Sequence, residues 1–181
     1  MPGAVALTGT PGTGKSAVAA ALAPTLRAIE VADLAARFGA ARRVRGGVEV
    51  DVPALRRRLR RAGALRRVDL VVGHLAHLLP IRDAVVLRCH PAELERRLRA
   101  ARRGSAAERR GNVIAEATDV VLFEAAGPGR RVWEIDTTGR SVAAVAREVR
   151  RRLRVRGRSK YGRVDWLADA RVTAHLLDRP R

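Results

Sequence analysis

Eight consecutive residues carry the chain's clearest chemistry. Gly9-Thr10-Pro11-Gly12-Thr13-Gly14-Lys15-Ser16 fits the pattern GxxxxGK[ST], between a β-prone run from Ala4 to Leu7 and a helical stretch from Ser16 to about Ala23. Glycines at 9, 12 and 14 let the backbone take positive φ without a side chain in the way, so successive amide groups can turn inward around phosphate oxygens. Lys15 adds a point charge for the β and γ phosphates, the Ser16 hydroxyl can ligate Mg²⁺, and the positive end of the following helix adds its field. Thr13 within the loop and Ala17 just after it complete the stretch expected to touch a nucleotide. No NKxD or TKxD tetrapeptide for reading guanine occurs in the chain, so the expected cofactors are ATP and Mg²⁺.

Such a loop needs a strand before it and a helix after it, and the rest of the chain repeats that alternation. β-prone runs fall at Leu70 to Val72, Ala84 to Leu87 and Arg131 to Asp136. Helical spacing covers Pro91 to Ala101, Val113 to Ala126 and Ser141 to about Arg154, with Ser141 as N-cap. Apolar strands separated by helices cannot pair as hairpins, so they should lie parallel beneath helices on both faces. The expected fold is a three-layer α/β/α sandwich with a central parallel sheet.

Two stretches break the alternation: about 33–63, which holds Arg42, Arg43, Arg45 and Gly46-Gly47, and 102–112. Both read as basic inserts with a functional role, because a long structureless connection in a compact domain needs a reason. After Arg154 the chain passes through a basic linker to an apolar cluster around Val164, Trp166 and Leu167.

Composition bounds the remaining possibilities. The 181 residues suit one domain, and 47% hydrophobic content argues against disorder. A single cysteine, Cys89, precludes an internal disulfide or a cysteine-built zinc site. The longest apolar stretch falls far short of the roughly 20 residues that cross a bilayer, and no leader precedes the loop, so a cytoplasmic protein without a membrane partner is expected. The net charge of +19, nearly all arginine, suits a polyanionic partner, although replacement of lysine by arginine throughout would produce the same excess.

The loop, Gly73-His74-Leu75-Ala76-His77-Leu78-Leu79, Val86-Leu87-Arg88-Cys89 with Pro91, Asn112 with Glu116, Ile135-Asp136-Thr137-Thr138-Gly139-Arg140 and Val164-Asp165-Trp166 together resemble the archaeal branch of the adenylate kinase isoenzyme 6 family. The likeness spans residues 3 to about 167. It implies a P-loop kinase domain over 1–167, in which about 33–63 is the nucleoside monophosphate-binding insert and about 102–112 a short lid, followed by a C-terminal tail over 168–181. It further implies a broad-specificity adenylate kinase that transfers the γ-phosphoryl of ATP to AMP, with ATPase activity and a part in small ribosomal subunit and rRNA maturation. The implied partners are a small-subunit ribosomal protein or rRNA, and the implied state is a monomer or weak oligomer. Arg103 matches the lid arginine that touches ATP phosphates, with Arg102 able to substitute. Arg140 matches a position near adenine and ribose.

His74 follows a strand at the carboxyl edge of the sheet, where ligands bind in open α/β folds. It is read either as a group that positions water or phosphate or as a packing histidine. His77, one helical turn on, could in principle join it at a metal, but no third ligand stands out. One position departs from the family: where an acidic residue should end the strand two places before His74, this chain has Val72. Asp69, at the opposite end of that strand, lies about 10 Å away by strand rise. Mg²⁺ would then rest on Ser16, water and phosphates alone, or turnover would be weak. The alternative function is therefore an ATP-gated ribosome-assembly factor with little kinase turnover. A small-molecule kinase on the same fold is a third reading, and the GHLAHLL stretch argues against it.

Overall fold

The computed structural model describes residues 3–44, 47–102, 104–155 and 157–177. Its centre is a five-stranded, wholly parallel sheet of β1 (Val5–Thr8), β2 (Ala28–Glu30), β5 (Leu70–Val72), β6 (Asp83–Arg88) and β7 (Arg131–Asp136), in the order β2-β5-β1-β6-β7. β1 lies in the middle and the chain leaves it toward both sides, so the crevice beyond its carboxyl end is the topological switch point where such sheets bind ligands.

Alternate residues of each strand serve opposite faces. Val5, Leu7, Leu70, Val72, Val85, Leu87, Trp133 and Ile135 pack under α1 (Lys15–Leu22) and α7 (Val142–Arg154). Ala6, Val71, Ala84, Val86 and Val132 pack under α2 (Val31–Arg37), α3 (Val52–Ala62) and α6 (Val120–Ala125). Both faces are covered, which is why the central strands are continuous apolar runs. The expected α/β/α sandwich is the observed one.

Three connections differ from the expectation. The stretch 33–63 is not a loop: α2 leads into an antiparallel hairpin of β3 (Ala41–Val44) and β4 (Gly47–Val50), and then α3 starts at Asp51, whose carboxylate accepts from the Ala54 amide. Among the described residues of 102–112, only Arg102, Gly104 and Ser105 are non-helical. Ser105 and Glu108 form a reciprocal capping box that starts α5 (Ala106–Ala117), after α4 (Pro91–Ala100). The single helix expected over Val113 to Ala126 is two, α5 and α6, because Asp119 takes a left-handed conformation at φ 59°. Asp can adopt that conformation at modest cost, and here its carboxylate accepts from buried Arg88.

β2 has no counterpart among the expected strands. It is three residues long and its side chains are not buried, so no apolar run marks it. The described part of the C-terminal segment forms α8 (Ala170–Leu177). α8 buries Val172 and is tied to the α4–α5 pair by a hydrogen bond from Arg110 to the Leu176 carbonyl and a 2.9 Å contact between His175 and Glu95.

Candidate active site

Buried β1 delivers the chain into the glycine loop at the carboxyl edge of the sheet. A Cβ on Gly9, at φ +139°, would stand 2.3 Å from the Leu87 carbonyl oxygen, and one on Gly12 would strike Leu94 and Leu98 of α4 at 2.8 and 2.9 Å. The first glycine lets the loop pass β6 and the second lets it lie against α4. The Thr10 carbonyl gathers the loop together: it accepts from the Thr13 amide at 3.2 Å, the Thr13 hydroxyl at 2.9 Å and Lys15 Nζ at 2.8 Å. α1 begins at Lys15 without a side-chain cap, so the positive end of the helix faces outward unblocked.

The loop opens on a cavity of about 400 Å³ whose walls include Gly12, Gly14, Lys15, Ser16, His74 and Arg97. Ala17 and Gly73 also border it. Gly9 and Thr13 shape the loop from behind. Arg140 does not border this cavity: its guanidinium donates to the Asp136 carbonyl at 2.8 Å and to Glu148 at 2.8 Å. Arg103 lies outside the described residues. Its neighbour Arg102 is exposed, at φ 48°, on the turn that closes α4.

His74 projects where the sheet edge meets the cavity, and part of its ring is open to solvent. Desolvation, followed by the positive charge of Lys15, holds its pKa below the ordinary 6.5. At neutral pH it is an uncharged imidazole that can orient water or a phosphate oxygen. His77 is different. It is buried, with Nδ1 2.8 Å from the Thr8 hydroxyl and Nε2 2.9 Å from Glu124. Glu124 can only accept, so Nε2 carries the proton and Thr8 donates to Nδ1. Desolvation keeps His77 neutral as well, against the opposing pull of Glu124. Both nitrogens are engaged by protein, and the described residues contain no cluster of three or more His, Cys, Asp or Glu fit for a metal.

These shifts set the pH dependence of stability. The unfolded chain takes up protons on His74 and His77 near pH 6.5, whereas the folded chain resists them until lower pH. Stability is therefore lost as pH falls through 6.5 and levels off below the folded values. The urea midpoint is expected to drop between pH 7.5 and 5.5, above the carboxylate range, and to drop less in His74→Gln. An equal slope in that variant would remove His74 as a contributor.

Behind the loop lies a buried ionic cluster that spacing alone does not reveal. The Thr10 hydroxyl donates to Glu116 Oε2 at 2.5 Å, while Oε1 accepts from Arg88 Nε at 2.8 Å, the Cys89 amide at 3.0 Å and Trp166 Nε1 at 3.2 Å. Arg88 also donates to Glu134 at 2.6 Å and to Asp119. Glu134 Oε2 accepts from the Arg163 amide at 2.9 Å, so the segment before α8 is tied to the same centre. Cys89 is inert: burial is the main cause pushing its thiol up to about 12.

Two charged cavity residues escaped the sequence reading. Arg97 is held by Glu93, four residues earlier on α4, and by Thr137, an i, i+4 pairing visible in the sequence. Glu30 ends β2 and borders the cavity beside Ser16. It went unseen with its strand.

The family AAA_18, described as "AAA domain", matches residues 5–119. A protein of Archaeoglobus fulgidus is 40% identical over 171 residues, covering 91% of this chain and 92% of its own. One of Thermococcus onnurineus is 38% identical over 165 residues, covering 90% of each. One of Halobacterium salinarum is 44% identical over 149 residues, covering 78% of this chain and 85% of its own. All three carry the description "Putative adenylate kinase". Among solved structures, a shikimate kinase from Bacteroides thetaiotaomicron superimposes with TM-score 0.55 at 17% identity, covering 83% of this chain and 98% of its own. A gluconokinase from Sinorhizobium meliloti gives 0.52 at 20% identity, covering 84% and 92%. At such identities these two establish the fold alone.

Proposed function

Because the chain belongs to the AAA_18 family and to the archaeal adenylate kinase relatives just described, we propose that it transfers the γ-phosphoryl of ATP to AMP, forming two ADP. The observation that carries this reading is the uncapped start of α1 behind the glycine loop, with Lys15, Ser16, His74 and Arg97 around one cavity. An α-phosphate oxygen of AMP attacks the γ phosphorus, and the bond to the β–γ bridging oxygen breaks, leaving ADP. The attacking oxygen is already anionic, so no base is needed, and positioning and charge neutralisation carry the catalysis.

In this reading the loop amides of Gly9, Gly12, Gly14, Lys15 and Ser16 hold the β and γ phosphates and Lys15 follows the charge onto the leaving oxygen. The Ser16 hydroxyl, exposed at the mouth of the cavity, is a hard oxygen donor of the kind Mg²⁺ takes, and fits that ion. Mg²⁺, when bound, neutralises phosphate oxygens. Arg97 reaches the phosphates from α4, and neutral His74 orients oxygen at the sheet edge. Arg103 is assigned to the lid, Arg140 to the nucleoside end, and about 33–63 to AMP.

The expected result of a coupled assay with ATP and Mg²⁺ is ADP formation that depends on AMP, at least tenfold above the rate without any nucleoside monophosphate. ADP formation indifferent to every nucleoside monophosphate would instead favour a second reading, an ATP-gated assembly factor for a small-subunit ribosomal protein or rRNA. The observation that supports this second reading is the hydrogen-bonded path from Thr10 through Glu116 to Trp166, which ties the loop to an exposed C-terminal segment on a chain of charge +19.

A further inference from the structure

Val72 leaves the end of β5 without a carboxylate, and the strand beside it supplies one. β2 pairs with β5 in parallel, with Glu30 directly opposite Val72. Paired residues on neighbouring parallel strands project from the same face, about 4.8 Å apart. Val72 packs beneath α1 with Val18 and Leu22, so Glu30 leaves the sheet on the face that carries Ser16 in the first turn of that helix.

The cavity confirms this placement. Glu30 and Ser16 border the phosphate cavity together, and Glu30 is the carboxylate among its described walls. They also share the adjoining cavity, which reaches Val72 itself. Other acids nearby are engaged or misplaced: Asp69 is at the far end of β5 and binds Arg27, while Asp33 borders the adjoining cavity only. The Glu30 side chain does not cap α2, the helix that follows it. It is half-buried on an edge strand, beside a lysine cavity, with no hydrogen bond or ion pair to the described residues.

We propose that Glu30 supplies the carboxylate that, with Ser16, holds the Mg²⁺ of the bound nucleotide, in place of the acid absent at Val72. Mg²⁺ needs only one or two carboxylates when phosphates and water complete its shell, and a glutamate displaced by one strand reaches the same metal from the neighbouring row. The assignment rests on the nucleotide-binding reading above. It makes β2, the least conspicuous strand in the sequence, part of the metal centre.

Calorimetric titration of ATP, in Mg²⁺ and separately in EDTA, tests it without any turnover. Wild type is expected to bind ATP more tightly in Mg²⁺. Glu30→Gln and Glu30→Ala are expected to lose about tenfold or more of that metal-dependent gain, with affinity in EDTA unchanged or improved, because a repelling carboxylate is gone. Paramagnetic titration with Mn²⁺ and ATP is expected to show the same loss of metal affinity. Full retention of the gain in Glu30→Gln, or an equal loss of affinity with and without metal, would overturn the assignment. Wild type that binds ATP in neither buffer would remove the nucleotide-binding reading and this assignment with it, a result distinct from a silent Glu30 variant.

Discussion

Lys15→Met lowers kcat/KM for ADP formation by roughly a thousandfold while the protein keeps its fold. Lys15 is only 8% exposed, and its ammonium rests on the Thr10 carbonyl at 2.8 Å. That carbonyl also receives Thr13, so the loop holds its shape when the lysine swings toward phosphate. The stem is packed against the loop. Methionine preserves the stem and removes only the cation. Loss of one preorganised donor at a site of developing charge costs a factor of 10² to 10³, and a full unit charge in a water-poor cavity belongs at the upper end. Steady-state kinetics and ATP titration measure the loss, and thermal denaturation reports the fold. A variant within threefold of wild type would dissociate Lys15 from phosphoryl transfer.

Arg88→Met is the variant expected to cost the most stability. The Arg88 side chain is 2% exposed and meets Glu116 and Glu134, each also 2% exposed, as well as the Glu116 carbonyl and Asp119. Removing the cation strands two buried carboxylates beside each other. Breaking a buried pair of this kind costs about 3–5 kcal/mol, which for a domain of this size lowers Tm by roughly 10 °C or more. Arg27→Met, at the exposed pair with Asp69, serves as the comparison and is expected to change Tm little, because solvent already screens that contact. Calorimetry on both separates the buried cluster from arginine content in general. A small Tm change in Arg88→Met would mean that the cluster contributes no net stability.

How much of this was legible in the sequence follows from what each residue needs in order to be recognised. β1, β5 and β6 are buried at every residue, so burial wrote them as largely apolar runs, and β7 is marked by its buried Val132, Trp133 and Ile135. The glycine loop is legible because its geometry forbids side chains at fixed spacing. β2 is not, because an edge strand of three residues buries too little to impose a pattern. The Ser105 and Glu108 capping signal was present, but the arginines around it masked a helix as a loop. The break at Asp119 and the role of Glu116 depend on Arg88, about thirty residues away, and no local window contains that partner. Arg97 was readable as one end of an i, i+4 pair, but its position over the cavity follows only from the docking of α4 against Gly12.

Strand order also bears on how the chain is made. β1 leaves the ribosome before its partners: Val5 pairs with Leu70 on one side and Asp83 on the other, both synthesised well after it. Arg88 must wait longer still, for Glu134. Parallel pairings across such separations close slowly, so β1 is exposed to mispairing until those later strands arrive. The segment that would grip triphosphate is translated early and matures late, and the unpaired arginines of the growing polypeptide spend that interval beside the most abundant polyanion in their surroundings, the ribosome itself.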